Sequence, residues 1–185
     1  FIMKFNRIFL IVLYISIFFS VAQSSQENVL NHFFNQLEKI NNQKNAALLE
    51  SKIWSIWNKH PTNNKLTERL EFGTELMQYG DYNYALKVFD NIIASDPKWS
   101  EAWNKRATVF FLMKQYTKSL SDIDKVLKIE SRHFGALSGQ ARIFIKLQEY
   151  EKAIISLKKA LKFYPAFSSG ELIPEIERLI KEESI

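Results

Sequence analysis

Residues 100–133 read SEAWNKRATVFFLMKQYTKSLSDIDKVLKIESRH, and this stretch decides the fold. It contains two runs of about 12–14 residues in which apolar side chains recur at spacings of three and four, the pattern of an amphipathic helix. One such pair of helices is too small to bury its apolar face alone. We therefore looked for the same pattern on both sides of it.

The pattern recurs with a period of 34 residues. A small residue in the first helix lets two helices approach closely, and a bulky residue in the second helix fills the remaining groove. The recurring sets are Gly73, Ala107 and Ala141; Tyr82, Tyr116 and Tyr150; Ala85, Ser119 and Ala153; and Phe89, Ile123 and Leu157. Three stacked helix pairs are predicted.

These positions and their spacing resemble the tetratricopeptide repeat (TPR) family, whose unit is two antiparallel helices. The resemblance implies an all-α, right-handed solenoid with TPR units at 66–99, 100–133 and 134–167. Residues 23–65 are interpreted as a degenerate N-terminal helix pair, with helices over 26–40 and 44–59. Residues 168–185 are interpreted as a C-terminal capping helix.

The first 22 residues have the pattern of a secretory signal peptide. Lys4 and Arg7 precede an apolar run that extends to Phe19, and small residues follow at Ser20 and Ala22. We expect Met3 to be the initiator and the protein to be periplasmic. The alternative is an uncleaved signal that anchors the chain in the inner membrane. Without this segment the net charge falls from +5 to +3, which does not indicate a nucleic-acid partner.

Composition argues against most catalytic and cofactor sites. The chain has no cysteine and five glycines, and it lacks the glycine-rich motifs that hold phosphates. His32, His60 and His133 stand apart in sequence, and the paired carboxylates are expected on solvent-facing helix surfaces. The sequence therefore predicts no enzyme, no cofactor and no metal site. Trp54 and Trp57 are expected in the core, with ligand binding as the alternative.

The TPR resemblance implies that the first helix of each unit lines a concave groove. The positions that would contact a protein or peptide segment are Leu70, Thr74, Met77, Asn104, Thr108, Phe111, Ser138, Arg142 and Ile145. Met77, Phe111 and Ile145 would form an apolar stripe. The alternative is that the N-terminal helix pair covers part of this stripe.

Charge is graded along the array, from −3 in the first unit to +3 in the second and +4 in the third. The predicted function is a non-catalytic exported adaptor that binds a partner protein in the groove. The alternative is an envelope-associated structural protein whose basic third unit contacts anionic lipid or cell-wall polymer, a peripheral membrane contact. The sequence leaves the oligomeric state open.

A closer resemblance covers residues 102–108 (AWNKRAT), the segment from Arg132 to Gly139, and the helix with Trp54 and Trp57. These stretches are similar to small exported TPR proteins of Gram-negative bacteria, which have no established activity. Chaperone-tail-binding TPR domains hold a terminal carboxylate with a set of Lys, Asn and Arg side chains. The matching positions are mostly uncharged here, so that clamp is not expected: Leu70, Thr74, Lys105, Gly135 and Gly139.

Overall fold

The computed structural model describes residues 25–183, and within that range the chain is helical with short connections and no strand. The first helix, α1, is described over 25–37. The others are α2 Gln43–Trp57, α3 Asn64–Gln78, α4 Tyr82–Ser95, α5 Ser100–Leu112, α6 Tyr116–Ile129, α7 Phe134–Lys146, α8 Tyr150–Phe163 and α9 Ile173–Glu183, with a 3₁₀ turn at Ser168–Leu172. The predicted all-α class is confirmed. The predicted signal at 1–22 lies outside the described residues.

The three helix pairs α3–α4, α5–α6 and α7–α8 repeat the same turn. Residues 80, 114 and 148 are 34 apart, and each has a positive φ, of 84°, 58° and 60°. Gly80 accepts this backbone without strain because it has no Cβ, whereas Lys114 and Gln148 adopt it at some cost. The second helix of each pair begins two residues later at the recurring tyrosine.

Close contact between the two helices of a pair depends on the small residues that recur every 34 positions. A Cβ at Gly73 would lie 2.7 Å from the Phe89 ring, so this position requires glycine. Ala107 and Ala141 are also buried. The Ser119 hydroxyl donates to the Ala107 carbonyl at 2.7 Å, which joins α6 to α5 where the helices approach.

The N-terminal pair α1–α2 packs in an unexpected place. Its apolar side chains, including Phe34, Ile53 and Trp57, form one core with Phe134 at the start of α7 and Tyr164 at the end of α8. The pair therefore lies across the loops that connect successive repeats, and it does not cap the outer face of α3–α4. The helices also end earlier than the 26–40 and 44–59 predicted from the apolar spacing.

Polar contacts hold this hairpin to both inter-repeat loops and to the end of α8. The indole of Trp99 donates to the carbonyl of Trp57 at 2.9 Å. Arg132 bonds Glu27 and Asn31 of α1, with its guanidinium 4.5 Å from the Phe34 ring centroid. The Tyr164 hydroxyl donates to Glu50. Burial, followed by this carboxylate, raises the pKa of Tyr164, so the phenol stays protonated.

At the other end α9 covers the third repeat. Ile176 is buried, and it packs with Ala141, Tyr150 and Leu157 of α7 and α8. Glu175, Glu177 and Glu182 of α9 are exposed, as is typical of a terminal helix with a polar outer face. None of the helices over residues 25–183 is both long enough and apolar enough to span a bilayer.

Candidate functional site

A groove of about 410 Å³ opens between α5 and α7 on the inner surface of the array. Met77 of α3 lies at one side, Trp54 of α2 at another, and the segment 167–169 bounds it near the C-terminal end. Side chains from five helices and the segment 167–169 therefore meet in one concavity, since the curvature of stacked helix pairs turns their first helices inward.

The apolar part of the lining is aromatic. Phe111 is half-buried and lies 5.9 Å from the Tyr116 ring, which holds it at the end of α5. Trp54 is also half-buried and packs edge-on against Phe134, with ring centroids 5.4 Å apart. Gly135 makes room for this indole, because a Cβ there would overlap the Trp54 ring. Half-exposed aromatic rings in a concavity suit an apolar side chain of a ligand.

The polar part of the lining includes Asn104, Lys105 and Arg142. The Asn104 amide donates to both oxygens of Glu101 at 3.2 Å, and the Lys105 ammonium lies 3.1 Å from the same carboxylate. Arg142 is exposed and makes no hydrogen bond or ion pair within the described part of the chain. In the groove, the charge of Lys105 is therefore already neutralised by Glu101, whereas Arg142 is available to bind an anionic group.

Glu101 is wholly buried beneath this wall. His133, also wholly buried, lies 2.9 Å away through Nε2. Because its Nδ1 accepts from the Ala136 amide, the ring proton lies on Nε2 and is donated to Glu101. Burial acts to raise the pKa of Glu101, but the bonds from His133 and Lys105 outweigh it, so that the pKa is lowered.

His60 repeats this arrangement at the entry to the first repeat. Its Nδ1 accepts from the amides of Thr62 and Asn63, and its Nε2 bonds Asp96 at 2.8 Å. The hydrogen bond from His60 is the main reason that the pKa of Asp96 is lowered. The view of His60 and His133 as isolated was therefore wrong, because partners 36 and 32 residues away are not visible as a local motif.

The predicted contact residues divide into two groups. Six of them line the groove: Met77, Asn104, Thr108, Phe111, Ser138 and Arg142. Three do not. Leu70 is 1% exposed in the core, Thr74 turns its hydroxyl back to the Leu70 carbonyl, and Ile145 packs in the cluster beneath α9. The predicted apolar stripe thus consists of Met77 and Phe111 without Ile145.

Sequence reasoning missed several residues of the lining. Trp54 and the segment 167–169 were assigned to core and cap, yet both border the groove. Lys105 also lines it, although the clamp comparison pointed to that position. Ser138 is less available than expected, because its hydroxyl lies 2.9 Å from that of Ser169. The position of Trp54 depends on how the hairpin docks, and local spacing carries no signal for that.

Known proteins with similar sequences also contain helical repeats. Residues 78–160 match the family described as anaphase-promoting complex, cyclosome, subunit 3. A TPR repeat-containing protein of Rhizobium etli is 35% identical over 109 residues. That match covers 55% of this chain, which spans 50% of the length of the relative. The chain is therefore similar to tetratricopeptide repeat proteins.

Solved TPR structures share the fold. The first TPR domain of Spaghetti (RPAP3), bound to the HSP90 peptide SRMEEVD, has a TM-score of 0.60 at 19% identity, covering 64% of this chain and 94% of that one. The TPR2B domain of yeast Sti1 in complex with Hsp70 scores 0.56 at 21% identity, covering 66% and 98%. The Yersinia enterocolitica chaperone SycD, with a peptide of the translocator YopD, scores 0.57 at 16%, covering 69% and 100%. The predicted TPR solenoid is therefore confirmed.

Proposed function

We propose that this protein is a non-catalytic adaptor that binds a segment of a partner protein in the groove between α5 and α7. The observation that carries the proposal is the groove itself, where the half-buried Phe111 lies beside the uncompensated charge of Arg142. An apolar surface supplies affinity, and a few fixed polar groups supply orientation.

The lining favours a particular ligand chemistry. An apolar side chain of the partner would contact Phe111 and Trp54, while an acidic side chain or terminal carboxylate would reach Arg142. Asn104 would add a hydrogen bond to the bound backbone. Its side chain is held in position because both Glu101 oxygens accept from it. A short, extended and acidic segment with one large apolar residue fits these groups.

The similar structures support peptide binding as the mode of action. Three of them contain, by their descriptions, an HSP90 peptide, Hsp70 and a YopD peptide. Because these proteins are only 16–21% identical to this chain, their ligands do not indicate which ligand this chain binds. They support only the idea that a TPR array of this size can take a peptide segment.

A non-catalytic role fits the ionisable groups beside the groove. Glu101 is engaged by Asn104, Lys105 and His133, and it has no exposed surface to offer a substrate. The described residues contain no cluster of three or more His, Asp or Glu side chains that could hold a metal ion. We accordingly assign the groove to recognition.

We further propose that the protein works in the periplasm, on the basis of the cations and apolar run at the N-terminus. Cleavage after Ala22 is expected to leave Gln23 as the first residue. Mass spectrometry of the protein from a periplasmic fraction measures this directly. An intact N-terminus in the membrane fraction would instead support the anchored alternative.

The alternative role on anionic lipid or cell-wall polymer has weaker support. Lys158, Lys159 and Lys162 of the third repeat are exposed, but Lys152 is paired with Glu149. These lysines lie on an outer helix surface without a cavity that would fix an anionic group. Solvated lysines are the ordinary content of such a surface.

The groove assignment is tested by replacing Phe111 with aspartate. Phe111→Asp places a charge in the apolar part of the lining and is expected to weaken partner capture by about tenfold or more. The measurement is cross-linked affinity capture from the periplasmic fraction, quantified against the wild type. Far-UV circular dichroism should show unchanged helical content.

Leu112→Asp is the matched control. Leu112 is the next residue of α5, is 43% exposed and does not line the groove. It introduces the same charge one position away and should leave capture unchanged. Equal loss in both variants, or undiminished capture by Phe111→Asp, would remove the groove from the proposed function.

A further inference from the structure

Within residues 25–183, no helix covers the outer face of the first repeat, because the α1–α2 hairpin packs elsewhere. Phe72 of α3 is 46% exposed and Tyr84 of α4 is 49% exposed, and their rings meet edge to face at 6.2 Å. Phe72 and the half-buried Val88 border a shallow cavity that Arg69 also lines. We call Phe72, Tyr84 and Val88 the open face.

The repeat itself provides a control for this surface. The residues equivalent to Phe72 and Val88 are Arg106 and Asp122 in the second repeat, and Gln140 and Ser156 in the third. In both repeats these two residues are polar and are joined by hydrogen bonds between the two helices. Arg106 donates to Asp122 at 2.8 and 2.7 Å, and Ser156 donates to Gln140 at 2.9 Å.

Tyr84 shows the same difference between repeats, since the equivalent residues in the second and third repeats are Lys118 and Lys152. The first repeat thus carries three apolar or aromatic residues where the inner repeats carry polar ones. A terminal repeat that faced only water would be expected to carry more polar residues than the inner repeats, and this one carries fewer. Exposed apolar patches of this kind usually mark an interaction site.

The array also indicates the shape of the missing partner. In the second repeat the equivalent face is covered by the second helix of the preceding unit, and Arg106 reaches Asp90 of α4 there at 2.7 Å. The open face therefore has the contour of a surface that receives one amphipathic helix. A shallow cavity between α3 and α4 would take the apolar residues of that helix.

Charge favours another protein over a second copy of this chain paired face to face. Glu68 and Glu75 are exposed and flank Phe72 on the surface of α3, at i−4 and i+3. Arg69 is also exposed and borders the cavity, so these three side chains carry a net charge of −1. Two open faces brought together would place like net charges against each other. At the far end of the array, Glu175 and Glu182 of α9 are paired with Arg178.

We propose that the open face binds a basic amphipathic helix of a partner protein, at a surface separate from the groove. The apolar residues of that helix cover Phe72 and Val88, and its lysine or arginine residues lie beside Glu68 and Glu75. The protein would then contact two partner segments at once, an acidic one in the groove and a basic one at the open face.

A peptide with the sequence of α8, YEKAIISLKKALKF, is a suitable probe, because α8 is itself the second helix of a repeat and its fragment carries a net charge of +3. Binding of the labelled peptide to the full chain is measured by fluorescence anisotropy. A counterpart in which glutamate replaces every lysine is the charge control. We expect the basic peptide to bind and the acidic one to bind at least about tenfold more weakly.

The double variant Phe72→Gln/Val88→Ser transfers the third repeat's own polar pair to the first repeat, so the fold should be kept. It is expected to weaken binding of the basic peptide by about tenfold or more. Glu68→Gln/Glu75→Gln should weaken binding and reduce its dependence on salt. Phe111→Asp, in the groove, should leave this binding unchanged.

Three results would overturn the proposal. The first is no binding of the basic peptide, or equal binding of both peptides. The second is binding that is lost in Phe111→Asp and kept in Phe72→Gln/Val88→Ser, which would assign the peptide to the groove. The third is a concentration-dependent dimer in sedimentation velocity that the double variant abolishes, which would make a second copy the occupant.

Discussion

At the residue scale, Glu101 shows how a buried carboxylate can order a binding surface without touching the ligand. It holds Asn104 and Lys105 from beneath and is itself fixed by His133, the residue that caps α7 of the next repeat. A buried charge is tolerated only when its lone pairs are satisfied, and here three donors satisfy them. Orientation of the groove side chains and contact between repeats therefore depend on one carboxylate.

The lowered pKa of Glu101 makes this contact sensitive to acid. A group whose pKa is lower in the folded state contributes stability above its unfolded pKa, about 4.3, and loses it as pH falls through the folded value. Glu101→Gln removes that titration. We expect this variant to have a lower midpoint of thermal unfolding than the wild type at pH 7. Between about pH 5 and pH 3 its midpoint should fall by less than that of the wild type.

Circular dichroism melts of both proteins across that range measure the difference in slope. Asp124→Asn is the control, because Asp124 is exposed and its carboxylate makes no bond in the described chain; its slope should match the wild type. If Glu101→Gln and the wild type lose stability in parallel on acidification, Glu101 does not have this role.

At the element scale, the positions of the repeated helices could be predicted accurately from the sequence. The elements against which the N-terminal helices pack could not. The starts of α4, α6 and α8 fall on the recurring tyrosines, because a 34-residue period fixes both helix length and turn. The helix pair α1–α2 was also visible from its apolar spacing. Its docking site was not, since Phe134 and Tyr164 lie about a hundred residues away and helical periodicity does not specify a distant partner.

The groove shows the same division between local and distant information. Met77, Asn104 and Phe111 could be predicted because they depend on position within one helix. Leu70 and Ile145 do not line the groove, because Leu70 is buried in the core and the partly buried Ile145 packs against the cluster beneath α9. An apolar residue at a concave position belongs either to the surface or to the core, and only the packing of adjacent units decides which.

At the scale of the whole molecule, the α1–α2 hairpin changes how the array should unfold. Repeat proteins are held by contacts between neighbouring units, so their ends can open separately. Here Trp57 contacts the first inter-repeat loop through Trp99 and the second by stacking on His133, with ring centroids 4.0 Å apart. The hairpin thus links units that do not otherwise adjoin.

We therefore expect the three repeats to unfold as one cooperative unit in the wild type. Trp57→Ala removes a side chain that is 4% exposed, at a typical cost of about 3–5 kcal/mol, and should release the hairpin. Native-state hydrogen exchange measures this: amides of α3–α4 and of α7–α8 should share one opening free energy in the wild type and separate in the variant. Leu48→Ala, at a residue of α2 that is 65% exposed, should preserve the common value. A common opening free energy that survives Trp57→Ala would mean that contacts between adjacent repeats alone hold the array together.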